Sequence, residues 1–365
     1  MSFSIGMAQK PVLSQKKFNE LISEATQNHM IPGMAAIVVN SDSILNSAVS
    51  GERKLLGNDK ITLNDRFHIG SLTKAFTATI AGKLVEEGKI NWDTRFFDVF
   101  PEIEQFSKED YCNITLNELL SHRAGLKPYT EDPEWDAIPA YKSKSKAKRR
   151  LEFAIDVLNF PPVNPDLESG YVYSNAGYSL AASMLEKVSG KGWEALLQEY
   201  IFIPLHMKAS SGWPGNFNAA QPWGHWLVKE NTYLTIQEPD GKYQFAEVLQ
   251  PAGDLNMSII DYGKFLQANL KGLHGSDNIV TAATYNYIHY ANIDFSSYSI
   301  GWSSRQKDEE TFSIHSGSAG TFDSCVLLVK ELDIAIAIFV NAYAPEVEKV
   351  VRKLRNDILK VYLNQ

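Results

Sequence analysis

A serine and a lysine three positions apart, Ser71 and Lys74, have the residue types and the spacing for covalent chemistry. They open a segment with helical apolar spacing that continues from Ala75 to Val85. Residues three apart share one face of a helix, so the Lys74 amine can lie against the Ser71 hydroxyl. A serine attacks well only after a base takes its proton, and a lysine loses its own proton more readily when apolar neighbours exclude water. We therefore predict that Ser71 is a nucleophile and that Lys74 is its activating base.

The Ser-x-x-Lys spacing recurs in this chain and is not specific by itself. It also begins at four other serines, all in polar or charged stretches where a lysine stays solvated: Ser14, Ser143, Ser145 and Ser304. Only Ser71 opens an apolar helix after a short apolar strand and a glycine. The competing interpretation is a helix-capping serine followed by a lysine whose amine extends to solvent.

A second segment, Tyr173-Ser174-Asn175, precedes another apolar helix. An acyl-transfer site needs a group that protonates the leaving atom, and it needs donors for the developing oxyanion. A tyrosine beside a lysine can give or take a proton, and an asparagine can both donate to and accept from a substrate amide. We predict these roles for Tyr173 and Asn175. The competing interpretation is a buried tyrosine followed by a helix-capping asparagine.

A third segment, His315-Ser316-Gly317-Ser318, lies at the end of a predicted strand. Gly317 lets the backbone approach a ligand closely because it has no side chain. The backbone N–H groups of Ser71 and Ser318 could then form the two halves of an oxyanion hole. We predict that His315 is a further catalytic residue, with its imidazole beside the Ser71 hydroxyl, and the competing interpretation is a satisfied structural histidine.

The elements that must position these residues are strands near both chain ends with helices between them. The predicted strands cover 34–39, 44–49, 67–70, 298–302, 311–315, 322–329 and 334–340. The simplest assembly is an α/β (α+β) fold in which 1–95 and 296–365 form one antiparallel sheet domain with covering helices. Residues 96–295 would form a mostly helical inserted domain. Ser71 would then lie at the seam, where pockets commonly form.

Composition excludes several classes of partner. The chain has 365 residues, 44% of them hydrophobic and 21% charged, which is typical of a soluble globular protein. Its net charge of −8 and pI near 5.6 argue against a nucleic acid or an anionic membrane as a general partner. No apolar run approaches the ~20 residues of a membrane span, so none is predicted.

The two cysteines and the N-terminus give weaker signals. Cys112 and Cys325 are too few for a disulfide framework, and two free thiols are favoured over a single bridge. Small residues at Gly6 and Ala8 resemble the end of a signal peptide, although a basic region and a full apolar core are lacking. Compartment and oligomeric state stay open, with a periplasmic or secreted location favoured over a cytoplasmic one.

Taken together and in order, the three motifs resemble those of the penicillin-recognising serine hydrolases. The similarity is greatest to the class C β-lactamase-like branch, with its soluble D-alanyl-D-alanine carboxypeptidases, D-aminopeptidases and esterases. Further segments that look like this branch lie at 119–126, 204–207, 252–255 and 300–302. The resemblance extends from about Ile31 to the C-terminal helix.

The resemblance implies a β-lactamase/transpeptidase-like fold, an antiparallel sheet with flanking helices plus an all-helical domain. It implies that Ser71 is acylated, that Lys74 and Tyr173 share proton transfer, and that Asn175 holds the substrate amide. The N–H groups of Ser71 and Ser318 would form the oxyanion hole. A small molecule or peptide would be the substrate, and neither a metal nor an organic cofactor would be needed.

His315 departs from the family pattern, because β-lactamases usually place a lysine there. A histidine is only partly charged near neutral pH. We therefore expect a carboxypeptidase-like, aminopeptidase-like or esterase activity rather than an efficient β-lactamase. No counterpart of the class A deacylation glutamate is found, so Tyr173 is the candidate that activates water. The alternative function is a non-catalytic peptide- or glycan-binding protein on the same fold.

Overall fold

The computed structural model describes residues 13–163, 170–229, 232–236, 245–292 and 298–363. Residues 1–12, which carry the resemblance to a signal peptide, lie outside this described part of the chain. The strands are β1 (Gly33–Val39), β2 (Ile44–Gly51), β3 (Arg66–His68), β4 (Ala209–Ser211), β5 (His225–Lys229), β6 (Thr232–Thr235), β7 (Leu255–Ser258), β8 (Ser303–Lys307), β9 (Glu310–Ser318), β10 (Asp323–Val329), β11 (Ile334–Val340) and β12 (Ala342–Tyr343).

Helices occupy much of the remaining described chain, and several of them are a single turn. They are α1 (Gln15–Asn28), α2 (Thr73–Glu86), α3 (Phe96–Val99), α4 (Leu116–Leu120), α5 (Asp132–Asp136), α6 (Lys146–Leu158), α7 (Asn175–Ser189), α8 (Trp193–Leu197), α9 (Pro214–Phe217), α10 (Gln250–Gly253), α11 (Ile259–Leu273), α12 (Ala282–Tyr290) and α13 (Pro345–Leu363). Short 3-10 turns occupy Gly70–Leu72, Pro101–Phe106, Glu109–Tyr111 and Glu247–Leu249, and a π-helical turn, Gln198–Phe202, follows α8.

The central sheet has six strands in the order β2-β1-β11-β10-β9-β8, all antiparallel to their neighbours. β1, β10 and β11 are buried along their whole length, because helices cover both faces of the sheet. Side chains alternate along a strand, so Ile336 and Ile338 face α1 and α13 whereas Ala337 and Phe339 face α2 and α11. Two cores therefore lie on opposite faces of one sheet.

Two three-stranded sheets complete the strand inventory. One has the order β3-β7-β4 and leads directly into the 3-10 turn that contains Ser71. The other has the order β12-β5-β6, with β5 and β6 forming an antiparallel hairpin. The β3-β7-β4 sheet fixes the start of α2, since the N–H of Ile69 donates to the carbonyl oxygen of Leu255 at 2.9 Å.

Five of the seven predicted strands lie in the central sheet, as β1, β2, β9, β10 and β11. A sixth, predicted over 67–70, is the short strand β3 of the β3-β7-β4 sheet and not part of the central one. The strand predicted over 298–302 is wrong, because β8 begins at Ser303 and Tyr298 makes only an isolated bridge with Ser303. Gly301 has φ +75° and turns the backbone there. The ring of Trp302 is buried against His289, with ring centroids 4.7 Å apart. This run is apolar because it is buried in a turn, not because it pairs in a sheet.

The domain boundaries at 95 and 296 stay a prediction. Most helices from within 96–295 gather beside α2 and α7, but α11 packs across β1 and β11 of the sheet. Cys112 and Cys325 are free thiols. In the described part of the chain, none of the helices has the length and apolar character that crossing a membrane requires.

Candidate active site

Ser71 lies in the 3-10 turn between β3 and α2, with its side chain partly buried. The following helix, α2, is buried on nearly all sides, which is why its sequence is apolar around the whole circumference. Lys74 stands in the first turn of this helix and is fully buried, at 0% exposure. The helix thus carries an amine into the protein interior, directly beside the serine hydroxyl.

Three hydrogen bonds define the environment of the Lys74 amine. Its Nζ donates to Oδ1 of Asn175 at 2.7 Å and to the carbonyl oxygen of Ala252 at 2.8 Å, and it lies 3.1 Å from Oγ of Ser71. The orientation of the Asn175 amide is fixed because its Nδ2 donates to the carbonyl oxygen of Tyr129 at 2.8 Å. Burial lowers the pKa of Lys74 well below the ordinary lysine value.

The proton arrangement follows from the partners. The oxygens of Asn175 and Ala252 can only accept, so each takes one hydrogen of the amine. A neutral amine has two hydrogens, which leaves its lone pair facing the third partner, the Ser71 hydroxyl. The geometry can therefore transfer the hydroxyl proton of Ser71 to Lys74.

Tyr173 reaches the same hydroxyl from the segment before α7. Its phenol hydrogen-bonds with Ser71, and its ring centroid lies 4.8 Å from Nζ of Lys74. Burial raises the pKa of Tyr173, and the hydrogen bond with Ser71 acts in the opposite direction. The next residue, Ser174, caps α7 through an acceptor contact with the N–H of Gly177 at 3.3 Å. The cap places Asn175 in the first turn, with its side chain towards Lys74.

His315 is buried beside this cluster and is engaged through both ring nitrogens. Its Nδ1 lies 2.8 Å from the carbonyl oxygen of Ser316, and its Nε2 lies 3.0 Å from the phenol oxygen of Tyr298. A carbonyl oxygen can only accept, so Nδ1 carries the hydrogen and Nε2 accepts from the tyrosine. Burial, with a smaller contribution from the charge of Lys74, lowers the pKa of His315 to about 3. The imidazole is therefore neutral near pH 7, rather than partly charged as an exposed histidine would be.

Two glycines allow the third segment to approach Ser71. A β-carbon on Gly317 would stand 2.1 Å from the carbonyl oxygen of Ile69 and 2.9 Å from the backbone nitrogen of Ser71. A β-carbon on Gly70 would stand 2.6 Å from the backbone nitrogen of Ser318. Such separations exclude any side chain at these glycines. The backbone nitrogens of Ser71 and Ser318 thus lie on two chain segments in direct contact.

A cavity of about 400 Å³ adjoins Tyr173 and His315. One wall comes from α13, which contributes Arg352 and Arg355. Arg352 pairs with Glu348 one turn earlier in its helix. Arg355 is only 7% exposed, and burial lowers its pKa. In the described part of the chain, no carboxylate forms an ion pair with Arg355.

The structure brings Ser71, Lys74, Tyr173 and Asn175 into one hydrogen-bonded group. Gly317 and Ser318 lie against it. Sequence reasoning assigned no role to three groups that complete the surroundings: the Ala252 carbonyl, the Tyr298 phenol and the buried His122 ring. Ala252 and His122 lie within segments that resemble the family, and this resemblance was the signal that could have pointed to them. Within the described ranges, no group of three or more His, Cys, Asp or Glu side chains is placed to hold a metal.

Comparison with known families identifies the class of protein that this fold and site define. The family model described as Beta-lactamase matches residues 18–360, so the chain belongs to the beta-lactamase family. This confirms the resemblance inferred from the three motifs.

Curated relatives are distant and longer. Unguisins hydrolase ungD' of Aspergillus campestris is 26% identical over 340 residues, which cover 89% of this chain and 61% of the relative. Penicillin-binding protein 4 of Amycolatopsis lactamdurans is 28% identical over 202 residues, which cover 55% of this chain and 49% of the relative. The chain thus spans roughly half to three fifths of the length of these relatives.

Solved structures share the fold. The octameric penicillin-binding protein homologue from Pyrococcus abyssi superposes with a TM-score of 0.77 at 22% identity, covering 97% of this chain and 78% of that one. A class C beta lactamase from Rhodobacter sphaeroides superposes with a TM-score of 0.72 at 16% identity, covering 94% of this chain and 98% of that one. The predicted β-lactamase/transpeptidase-like fold is confirmed.

Proposed function

We propose that this protein is a serine hydrolase that cleaves an amide or ester through an acyl-enzyme on Ser71. The observation that carries the proposal is the set of partners of the Lys74 amine. Two of them are obligate acceptors and the third is the Ser71 hydroxyl, while burial lowers the amine's pKa. A buried, neutral amine against a hydroxyl is the arrangement that general-base activation of a serine requires.

The groups in contact at this site can account for every bond and proton that changes during acylation. Oγ of Ser71 bonds to the substrate carbonyl carbon while its proton moves to Nζ of Lys74, and the carbonyl electron pair moves onto oxygen. The backbone N–H groups of Ser71 and Ser318 would donate to that oxyanion. Tyr173 would give its phenol proton to the leaving nitrogen or oxygen and recover one from the Lys74 ammonium. The products are an ester on Ser71 and a released amine or alcohol.

Deacylation would use water and the same groups. Tyr173 passes its phenol proton to the neutral Lys74 amine and takes a proton from water, whose oxygen bonds to the acyl carbon. The intermediate then expels Oγ of Ser71, which takes a proton from the Lys74 ammonium. The released product is a carboxylic acid. Tyr173 hydrogen-bonds with Ser71 and therefore lies beside the acyl carbon in both half-reactions.

The cavity beside Tyr173 supports a substrate with a carboxylate near the scissile bond. His315 is neutral and cannot supply a cation there. Arg352 and Arg355 can, because arginine stays protonated and its planar donors match a carboxylate. This favours short peptides with a free C-terminus, including peptides of D-amino acids, over neutral esters. A β-lactam that carries a carboxylate is the second candidate.

Intact mass spectrometry tests the covalent step. Wild-type protein treated with an activated ester, and separately with a penicillin, should gain the acyl mass on Ser71. Ser71→Ala should gain none, whereas Ser14→Ala, which removes an exposed serine with the same lysine spacing, should react as wild type does. Absence of any adduct, together with turnover that is unchanged in Ser71→Ala, would contradict the proposal.

A matched substrate pair tests the preference for a carboxylate. Arg355→Gln should raise KM for a peptide with a free C-terminus about 10- to 100-fold, which is the loss expected for a charge-assisted hydrogen bond. The C-terminal amide of the same peptide should react equally with both proteins, and it controls for any change in folding. If both peptides lose activity equally, the arginine does not recognise the carboxylate.

The alternative, a non-catalytic peptide- or glycan-binding protein, predicts a different outcome in the same experiments. Such a protein would bind the free-acid peptide tightly, release it unchanged, and acquire no mass. It would also have no need for a base beside Ser71, so Lys74→Arg would leave binding intact.

A further inference from the structure

We propose that His122 is a positioning residue that holds the Tyr173 phenol at the Ser71 hydroxyl. The proposal rests on the proposed function, because it assigns a role in presenting a proton-transfer group. His122 itself does not contact Ser71, and it acts through the backbone on either side of Tyr173.

Two hydrogen bonds from one residue bracket the tyrosine. The carbonyl oxygen of His122 accepts from the N–H of Val172 at 2.8 Å. Its ring nitrogen Nδ1 accepts from the N–H of Ser174 at 3.1 Å. Val172 and Ser174 are the two chain neighbours of Tyr173. His122 therefore holds the N–H groups of both chain neighbours of the residue whose phenol meets Ser71.

Backbone conformation at His122 fits this role. Its φ of +63° is in the left-handed region, which residues with a side chain adopt at some cost. His122 adopts this conformation although it is not a glycine. In this conformation its carbonyl oxygen and its ring both face the segment from Val172 to Ser174. A glycine would adopt the same backbone but would have no ring acceptor for Ser174.

The ring of His122 also packs directly on the tyrosine. Its centroid lies 4.2 Å from that of Tyr173 and 4.5 Å from that of Tyr298. Since Nδ1 accepts, Nε2 carries the hydrogen, and this atom is buried without a hydrogen-bond partner among the described residues. A ring kept only for packing would be better served by a phenylalanine, because an unpaired buried N–H is destabilising. The acceptor at Nδ1 explains why a histidine stands there.

A neutral His122 ring can accept from Ser174 without adding a charge beside Lys74. Burial lowers the pKa of His122, and the electrostatic interactions of its ring with Lys74, His315 and Arg123 act in the same direction. The other titratable groups around the ring are tyrosine phenols, those of Tyr171, Tyr173, Tyr178 and Tyr298. Nδ1 thus remains an acceptor at neutral pH, and the residue adds no negative charge beside the Lys74 amine. An aspartate could accept the same hydrogen bond but would stabilise the protonated, inactive form of that lysine.

Two substitutions at His122 separate the acceptor from the ring. In His122→Asn the amide oxygen is attached to the same carbon position as Nδ1, and asparagine tolerates the left-handed backbone. In His122→Phe the ring stays and the acceptor is lost. His225→Phe is the matched control, since His225 is also buried and its Nε2 accepts from the N–H of Leu55 at 3.0 Å, away from the Ser71 group.

The rate of acylation by an activated ester, KM and the melting temperature are measured for all three variants. His122→Phe should lose about 100-fold in kcat with KM nearly unchanged, the size expected when a catalytic group is displaced by about 1 Å. His122→Asn should stay within about 5-fold of wild type, because the acceptor is retained. His225→Phe should lower the melting temperature without lowering kcat. In a Tyr173→Phe background, His122→Phe should cost little more.

Each contrary result is informative. If His122→Phe is folded and as active as wild type, the proposal is wrong. It is also wrong if His122→Asn and His122→Phe lose activity equally, or if the losses from His122→Phe and Tyr173→Phe multiply. A readout without turnover keeps this test separate from that of the hydrolase itself. The Ser174 N–H, which donates to the His122 ring at 3.1 Å, should lose its protection from hydrogen exchange in His122→Phe and keep it in His122→Asn and His225→Phe. Unchanged protection in His122→Phe would overturn the positioning role even if Ser71 were never acylated.

Discussion

Two cations, Lys74 and Arg150, are buried completely in this protein, yet their surroundings are opposite. Arg150 lies in α6 and pairs with the carboxylate of Glu186, with Glu194 at 3.6 Å as a second anion. Burial lowers the pKa of Arg150, but the hydrogen bond and charge of Glu186 outweigh burial, so the pKa is raised. Among the described residues, Lys74 has only neutral acceptors around its amine, and burial lowers its pKa.

The difference separates a structural charge from a chemical one. A buried cation that meets a carboxylate stays charged and holds two elements together, here α6 and α7. A buried amine that meets only neutral oxygens is driven to its unprotonated form, which is a base. The same helical core thus contains one cation that retains its proton and one amine that we propose takes a proton from Ser71.

Replacing Lys74 by a permanent cation should have the largest effect on activity. Lys74→Arg keeps a positive group but cannot act as a base, because arginine does not lose its proton in proteins. We expect acylation of Ser71 to fall by about 10³-fold or more, which corresponds to about 4 kcal/mol. Stopped-flow acylation with an activated ester measures it. Lys17→Arg, in an exposed Ser-x-x-Lys segment, should change nothing.

Removing the partner of the structural cation should affect folding rather than chemistry. Glu186→Gln leaves the Arg150 guanidinium buried beside an uncharged amide, which should cost about 3 kcal/mol of unfolding free energy. Urea denaturation measures this loss. The acylation rate of the folded fraction should equal that of wild type. A large drop in that rate with unchanged stability would mean that the two buried cations are not distinct in function.

Placing a carboxylate beside the Lys74 amine should make its surroundings resemble those of Arg150. Asn175→Asp places an anion at the 2.7 Å contact with Nζ and should raise the pKa of Lys74. Activity requires the neutral amine and so rises with pH through that pKa. The acidic limb of the rate profile should therefore move to higher pH, and the rate at pH 7 should fall about 10-fold. An unmoved limb would mean that another group controls it.

The sequence predicted the side chains of this site well, because their chemistry and spacing are visible in it. Ser71, Lys74, Tyr173 and Asn175 meet as expected, and Gly317 permits the close approach that its lack of a side chain suggested. The strands and the closing helix were predictable because their apolar periods are long and regular.

The remaining features depend on contacts that no local pattern encodes. The Ala252 carbonyl is a backbone group that every residue has, so its place beside Lys74 appears only in the fold. His315 was expected to be partly charged, but its burial and its acceptor contact with Tyr298 make it neutral. The run 298–302 has strand composition, yet the left-handed Gly301 turns it away from the sheet.

A direct titration tests whether the Lys74 amine is neutral and can act as a base. Protein labelled with ¹³C at lysine Cε is titrated by NMR, and the Lys74 signal is assigned from its absence in Lys74→Arg. We predict that the Lys74 signal titrates well below the pH at which the exposed lysines do, and that its titration moves to higher pH in Asn175→Asp. If the Lys74 signal titrates together with the exposed lysines, Lys74 is not the base, because the amine would then be charged at neutral pH and could not take the proton of Ser71.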